Sequence, residues 1–206
     1  MQILKIVKKI LEIPFIFNLF EKIMGAKKPR EKFVKNFVKP EIGEKILDIG
    51  CGTGELIDFF PKEIDYMGID NNSDYINFAK KKYGDRGIFI CSGVGKEIES
   101  IKDDHFDIVM SAGVLHHLSD DNSIKLLQKS IKALKVGGRF ISFDPVFVSN
   151  QKFISNFLIK NDRGNFVRNI DGYEKLLKKV FHNIEIIHKN DLHHYPYDIL
   201  IMKAFK

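Results

Sequence analysis

Apolar residues divide the chain into two regimes. In the first forty residues, Ile3, Ile6, Ile10, Ile13, Phe17, Phe20 and Met24 recur at steps of three and four, the spacing of one helix face. Pro14 lacks the N–H that would reach the carbonyl of Ile10, so two helices or a kink are expected there. A short helix should follow over Arg30–Val38, with Phe33, Val34 and Phe37 inward, stopping at Pro40. From Lys45 onward short apolar strands alternate with amphipathic helices, which predicts βαβ units and a parallel sheet. Strands are expected at Lys45–Ile49, Tyr66–Ile69, Ile88–Cys91, Phe106–Ser111 and Arg139–Phe143. Helices are expected near Glu55–Phe60, Asp74–Tyr83 and Asn122–Leu134, the last ending at Gly137-Gly138. The stretch Gly93–Lys102 fits neither pattern. A long connection, Asp144–Ile170, leads to a helix opening with Asp171 and Glu174 at capping-box spacing. Two strands, Asn183–His188 and Tyr197–Ala204, then close the chain, and the short link between them makes them antiparallel neighbours.

Composition narrows the class. With 206 residues, 44% of them hydrophobic, the chain is long enough to close one full core. Its longest apolar runs fall short of the roughly 20 residues needed to cross a bilayer. Lysines at positions 5, 8 and 9 interrupt any signal-peptide core, and the two cysteines, Cys51 and Cys91, suit a reducing compartment. The expectation is a cytoplasmic protein. Residues 1–40 hold ten of the 33 basic and three of the 27 acidic residues, a net +7, which leaves the remainder at −1. A neutral body argues against a nucleic-acid partner. The basic arm is either a lid over a cleft, the favoured reading, or an interfacial helix in peripheral contact with an anionic membrane.

The first strand runs into Asp48-Ile49-Gly50-Cys51-Gly52-Thr53-Gly54. Alternate glycines let the backbone turn sharply and approach a ligand without Cβ obstruction. Asp70, at the end of the second strand, can accept hydrogen bonds from both hydroxyls of a ribose. The dinucleotide fingerprint wants a third glycine at position 55, where this chain has Glu, a poor neighbour for a pyrophosphate. No Gly-Lys-Ser/Thr follows for a Walker loop. A ligand with ribose and adenine but no phosphate fits better.

Ile46–Gly54 resembles motif I of the class I S-adenosylmethionine-dependent methyltransferases. Asp70 resembles their ribose-binding acid, Phe106–Val109 and Leu115–Leu118 their fourth-strand region, and Leu134–Arg139 the turn into their fifth strand. The resemblance implies an α/β fold: a Rossmann-like, doubly wound, seven-stranded sheet, mostly parallel with an antiparallel C-terminal hairpin strand. To this are added an N-terminal helical arm or lid, residues 1–40, and a cofactor-binding domain, residues 41–206. It also implies S-adenosyl-L-methionine as cofactor, with Asp48, Gly50, Cys51, Gly52, Gly54, Asp70, Asn71, Ser92, Gly93, Ser111 and Ala112 around it. Members of that family often place an acid after the third strand to hold the adenine amine. Here the stretch reads Cys91-Ser92-Gly93-Val94, so Ser92 or a backbone carbonyl takes that place.

In an open α/β sheet the ligand lies beyond the carboxyl ends of the strands. His116 and His117 after the fourth strand and Asp144 at the end of the fifth are therefore catalytic candidates, although packing or capping the loop is the favoured reading of the two histidines. Arg163, Arg168 and His193 are candidates for binding a small-molecule acceptor, with a saccharide or lipid-linked intermediate in view. His194 is expected in the same turn as His193. No metal site is expected, because neither cysteine has a histidine at ligand spacing. A nicotinamide-dependent oxidoreductase and a non-catalytic cofactor-binding protein are the alternatives.

Overall fold

A computed structural model describes Gly25, residues 27–92 and residues 101–206. The apolar stripe from Ile3 to Met24, the cofactor candidate Gly93 and most of Gly93–Lys102 lie outside the described residues. Eight strands form one sheet: β1 Lys45–Ile49, β2 Asp65–Asp70, β3 Ile88–Cys91, β4 Phe106–Ala112, β5 Leu134–Phe147, β6 Arg168–Asn169, β7 Asn183–Lys189 and β8 Ile199–Phe205. Their order is β3-β2-β1-β4-β5-β8-β7, with the two-residue β6 beside β5. The strands β1 to β5 run parallel, and β8 is antiparallel to both β5 and β7. The fold is thus the expected mixed sheet with an antiparallel hairpin at its end.

Alternation along the strands builds two cores, one on each face. Leu47, Val109, Phe140, Leu200 and Met202 point to one side, under Leu126, Leu127, Tyr173, Leu176 and Leu177. Ile46, Ile108, Met110, Ile141 and Ile201 point to the other, under Phe33, Val34, Val38, Ile57 and Ile76. Central strands apolar on both faces are what parallel sheets require. The helices are α1 Lys27–Phe33, continued by a π-turn at Val34–Val38, α2 Ser73–Tyr83, α3 Asp120–Ala133, α4 Phe153–Lys160 and α5 Ile170–Lys178.

Three expectations need correction. The helix expected to stop at Gly137-Gly138 ends at Ala133, because fully buried Leu134 already pairs with Phe106 in the sheet. The glycines sit instead in an irregularity of β5, where the register jumps from Phe106↔Leu134 to Ile108↔Arg139 and Gly137 takes φ +81°. The long connection after Asp144 is largely structured, since β5 continues to Phe147 and α4 and β6 follow. The cap of α5 is Asn169, whose side chain accepts from the Gly172 N–H, and Asp171 lies within the first turn.

Candidate active site

The glycine loop leaves β1 with Gly50, Gly52 and Gly54 at φ +79°, +56° and +78°, a region that favours glycine. Each has different surroundings. A Cβ on Gly50 would meet Val114 at 2.3 Å, and one on Gly54 would meet Phe89 at 2.9 Å, whereas at Gly52 no atom of the described residues beyond its chain neighbours lies within 4 Å. Gly50 thus presses the loop against the chain after β4, and among the described residues Gly52 faces open space. Asp70 ties the loop down: its Oδ2 accepts from the Gly52 N–H at 2.9 Å and its Oδ1 from the Asn72 N–H at 2.8 Å. Burial pushes the Asp70 carboxyl up against the pull of those N–H groups. A carboxylate has about four lone-pair sites, so acceptor capacity remains for a pair of hydroxyls.

Around this cradle, Asp48 is fully buried, with Oδ2 accepting from the Tyr66 hydroxyl at 2.8 Å. Burial, opposed by that bond and aided by the Asp70 charge, pushes it up to about 7. Asp48 Oδ1 and Ser111 Oγ, near the ends of β1 and β4, are buried polar atoms without a hydrogen-bond partner among the described residues. Burial raises the half-buried Cys51 thiol, which keeps it protonated. Asn71 is exposed beside Asp70, while Asn72 caps α2 by accepting from the N–H groups of Asp74 and Tyr75. Ser92 is buried, its N–H donating to the Asp70 carbonyl at 2.8 Å, and Ala112 is half-buried against the second core. The open face at Gly52, the spare capacity of Asp70 and the two orphaned oxygens fit an adenosyl ligand. A pyrophosphate fits poorly, because the loop leads into a five-residue 3-10 helix, Glu55–Phe59, rather than an α-helix N-terminus. Glu55 is ion-paired with Arg30 of α1.

Beyond the cradle, a 3-10 turn at Leu115–His117 places His116 between two acids. Its Nδ1 donates to Asp144 Oδ1 at 2.8 Å, and its Nε2 lies 3.2 Å from Asp162 Oδ1. Burial opposes charge on this ring, but the two carboxylates outweigh it and lift His116 to about 9. Burial likewise opposes charge on Asp162, yet His116 and the Gly164 N–H hold it down to about 2. His117 keeps an exposed edge, while partial burial and then the His116 charge hold it down to about 4. The two imidazole rings are 4.0 Å apart at their centroids. Gly164 is packed so closely that a Cβ there would meet His116 Cδ2 at 2.1 Å, and the Phe166 N–H donates to the His116 carbonyl at 2.9 Å. The loop carrying Asp162 is therefore fixed onto His116.

Two candidates are engaged by the protein itself. Asp144 is fully buried, accepts from Ser142 Oγ and from both the ring and the backbone N–H of His116, and presents no surface to a substrate. Arg168, expected to bind an acceptor, spends all five N–H donors on the protein, reaching the carbonyls of Leu115, Phe166 and Leu118 and the Asp120 carboxylate. Arg163 stands half-buried next to Asp162. Burial, then the nearby charges of His194 and Lys32, hold His193 down to about 4. Its ring meets Tyr195 at 5.0 Å and Tyr197 at 5.2 Å between centroids. The Tyr197 hydroxyl donates to Asp162 Oδ2 at 3.3 Å, which joins this aromatic turn to the histidine pair. Tyr195, Tyr197 and the pairing of Asp162 with His116 were not legible from spacing, since the chain brings them together only through the sheet edge.

Residues 46–138 match the methyltransferase domain family. A ubiquinone/menaquinone biosynthesis C-methyltransferase UbiE of Vibrio vulnificus is 28% identical over 152 residues, covering 67% of this chain and 57% of that protein. The phosphoethanolamine N-methyltransferase 1 of Zea mays is 27% identical over 158 residues, covering 75% of this chain and 30% of that one. The chain therefore spans little more than half the length of the first relative and less of the second. Among solved structures, an S-adenosylmethionine-dependent methyltransferase from Archaeoglobus fulgidus superposes with a TM-score of 0.73 at 19% identity, covering 92% of this chain and 99% of that one. With the glycine loop, the acid at the end of β2 and this strand order in place, the chain is similar over residues 46–138 to the methyltransferase domain family, and its fold is that of a solved S-adenosylmethionine-dependent methyltransferase.

Proposed function

We propose that the protein transfers a methyl group from S-adenosylmethionine to a small-molecule acceptor held against His116, His117 and Asp162. The observation that carries this reading is adjacency: Gly50 of the cofactor loop packs directly on Val114, two residues before His116. Asp70 would hold the ribose, with Ser92 at the adenine end and Gly52 letting the ligand approach the backbone. S-adenosylmethionine supplies a methyl group on a sulfonium, which is already a good leaving group. The protein's part is to position the acceptor in line and exclude water. His116, cationic below about 9, orients the acceptor and takes no proton at neutral pH. His117, neutral above about 4, is the group able to receive the proton that an acceptor hydroxyl or ammonium gives up.

For the acceptor, we favour a compound with an apolar part, of the lipid-linked kind. Helix α4 runs directly into Asp162 and leaves Phe153, Ile154 and Phe157 exposed at 84%, 54% and 57%. The relative from Vibrio vulnificus bears a quinone biosynthesis name, which agrees with such an acceptor. With Arg168 committed to the protein, a saccharide has lost one of its expected ligands. The basic arm, residues 1–40, would then suit contact with a membrane surface that carries the acceptor.

Thermal shift with S-adenosylhomocysteine, S-adenosylmethionine and NAD tests the cofactor, because a ligand that binds only the folded state raises the midpoint. Stabilisation by the first two and labelled-methyl transfer to phenolic or amine headgroups bearing an apolar tail are expected. Stabilisation by NAD alone would overturn the reading, and transfer only to tailless polar acceptors would overturn the lipid-linked assignment.

A further inference from the structure

We propose that His116, His117 and Asp162 form a site for a divalent first-row transition ion. One ligand atom from each lies within 4.8 Å of the others. Two donors about 2.1 Å from one ion, about 90–110° apart, sit about 3.0–3.4 Å from each other. His116 Nε2 and Asp162 Oδ1 are 3.2 Å apart, a spacing that one ion can bridge in place of the hydrogen now between them. The exposed ring of His117 can swing the remaining distance.

The surroundings are those of a held ligand set. Asp144 takes the Nδ1 hydrogen of His116 at 2.8 Å, which directs Nε2 toward Asp162 and makes it a better donor. Asp144 is itself fixed by Ser142 and by the His116 backbone N–H at 3.2 Å. Asp162 is oriented by the Gly164 N–H at 2.8 Å and the Tyr197 hydroxyl at 3.3 Å. Two imidazoles and one carboxylate suit zinc, cobalt or iron(II) rather than magnesium or calcium, which prefer oxygen throughout. Three protein ligands would leave positions open for an acceptor. An acceptor oxygen taking one of them would lose its proton more readily, to solvent, because His117 then spends its lone pair on the ion. That catalytic role rests on the proposed methyl transfer, whereas the binding does not.

The test is a cobalt(II) titration of the tag-free, metal-stripped full chain, followed by visible absorption, beside thermal shift with S-adenosylhomocysteine. The expected result is one saturable ion per chain with a visible band and no near-ultraviolet thiolate band. His117→Ala and Asp162→Asn should each weaken binding about tenfold or more. Stabilisation by S-adenosylhomocysteine in both variants shows that they fold. No saturable binding, a thiolate band from Cys51 or Cys91, or binding that persists in both variants overturns the site. If S-adenosylhomocysteine fails to stabilise the wild type while cobalt binds as described, the methyltransferase reading falls and the metal site stands.

Discussion

At the residue scale, two glycines of one loop should fail differently when substituted. Gly52→Ala puts a Cβ into space left open by the described residues, so its folding cost is the left-handed backbone strain, about 1–2 kcal/mol. That methyl group occupies the face assigned to the cofactor, and isothermal titration should show S-adenosylhomocysteine binding at least tenfold weaker. Gly50→Ala carries similar strain plus a contact with Val114 at 2.3 Å, so it should lower the melting temperature further. Equal affinity in wild type and Gly52→Ala would place the ligand elsewhere. His116 offers a pH signature. Its folded pKa, about 9, is above the roughly 6.5 of an unfolded histidine, so the stability it adds is complete below about 6.5 and lost as pH rises through 9. The melting-temperature gap between wild type and His116→Gln should therefore be widest near pH 6 and close by pH 9.5, and a gap constant across that range would contradict the imidazolium assignment. The glycine loop was legible in the sequence because its chemistry is local. The state of His116 was not, because Asp144 and Asp162 reach it only through the folded chain.

At the element scale, the strands that pair in the parallel sheet were readable from apolar runs, whereas the region after β5 was not. Its loop is ordered by side chains satisfying backbone groups, a pattern that leaves no periodicity. Arg168 is the main example, tying the turn at Leu115–Leu118 to Asp120 at the start of α3. Arg168→Ala would strand buried carbonyls and should cost about 2–4 kcal/mol of stability by urea denaturation. Affinity for S-adenosylhomocysteine should stay within about twofold, and a KM defect without loss of stability would restore the acceptor-binding role. A second strut joins α4 to the hairpin: Asp198 accepts from Ser155 Oγ at 2.6 Å and from His188 Nε2 at 2.7 Å. Serine and histidine share the carboxylate and not each other, so this trio is a brace and no nucleophile relay.

At the scale of the whole molecule, the sequence placed the division between arm and domain at residue 40, where the charge changes sign and the periodicity changes. Packing follows neither marker. Phe33, Val34 and Val38 are buried in the second core, and Arg139 on β5 reaches the carbonyls of Val38 and Lys39 as well as Glu44. Charge reports on the solvated face of a helix, and here Lys27, Lys28 and Lys32 of α1 are exposed while Phe33 is buried. Residues 27–38 thus cover one face of the sheet, and a lid that opens by releasing them would have to expose that core. Phe33→Ala separates the two possibilities. Phe33 is 1% exposed, and its ring meets Phe143 of β5 at 5.1 Å, so truncation should cost about 3–5 kcal/mol of global stability. The urea midpoint should fall with an unchanged slope, since the same surface is exposed on unfolding. A detachable segment would instead leave the global stability within about 0.5 kcal/mol of wild type and raise only the rate of proteolytic cleavage near residue 40.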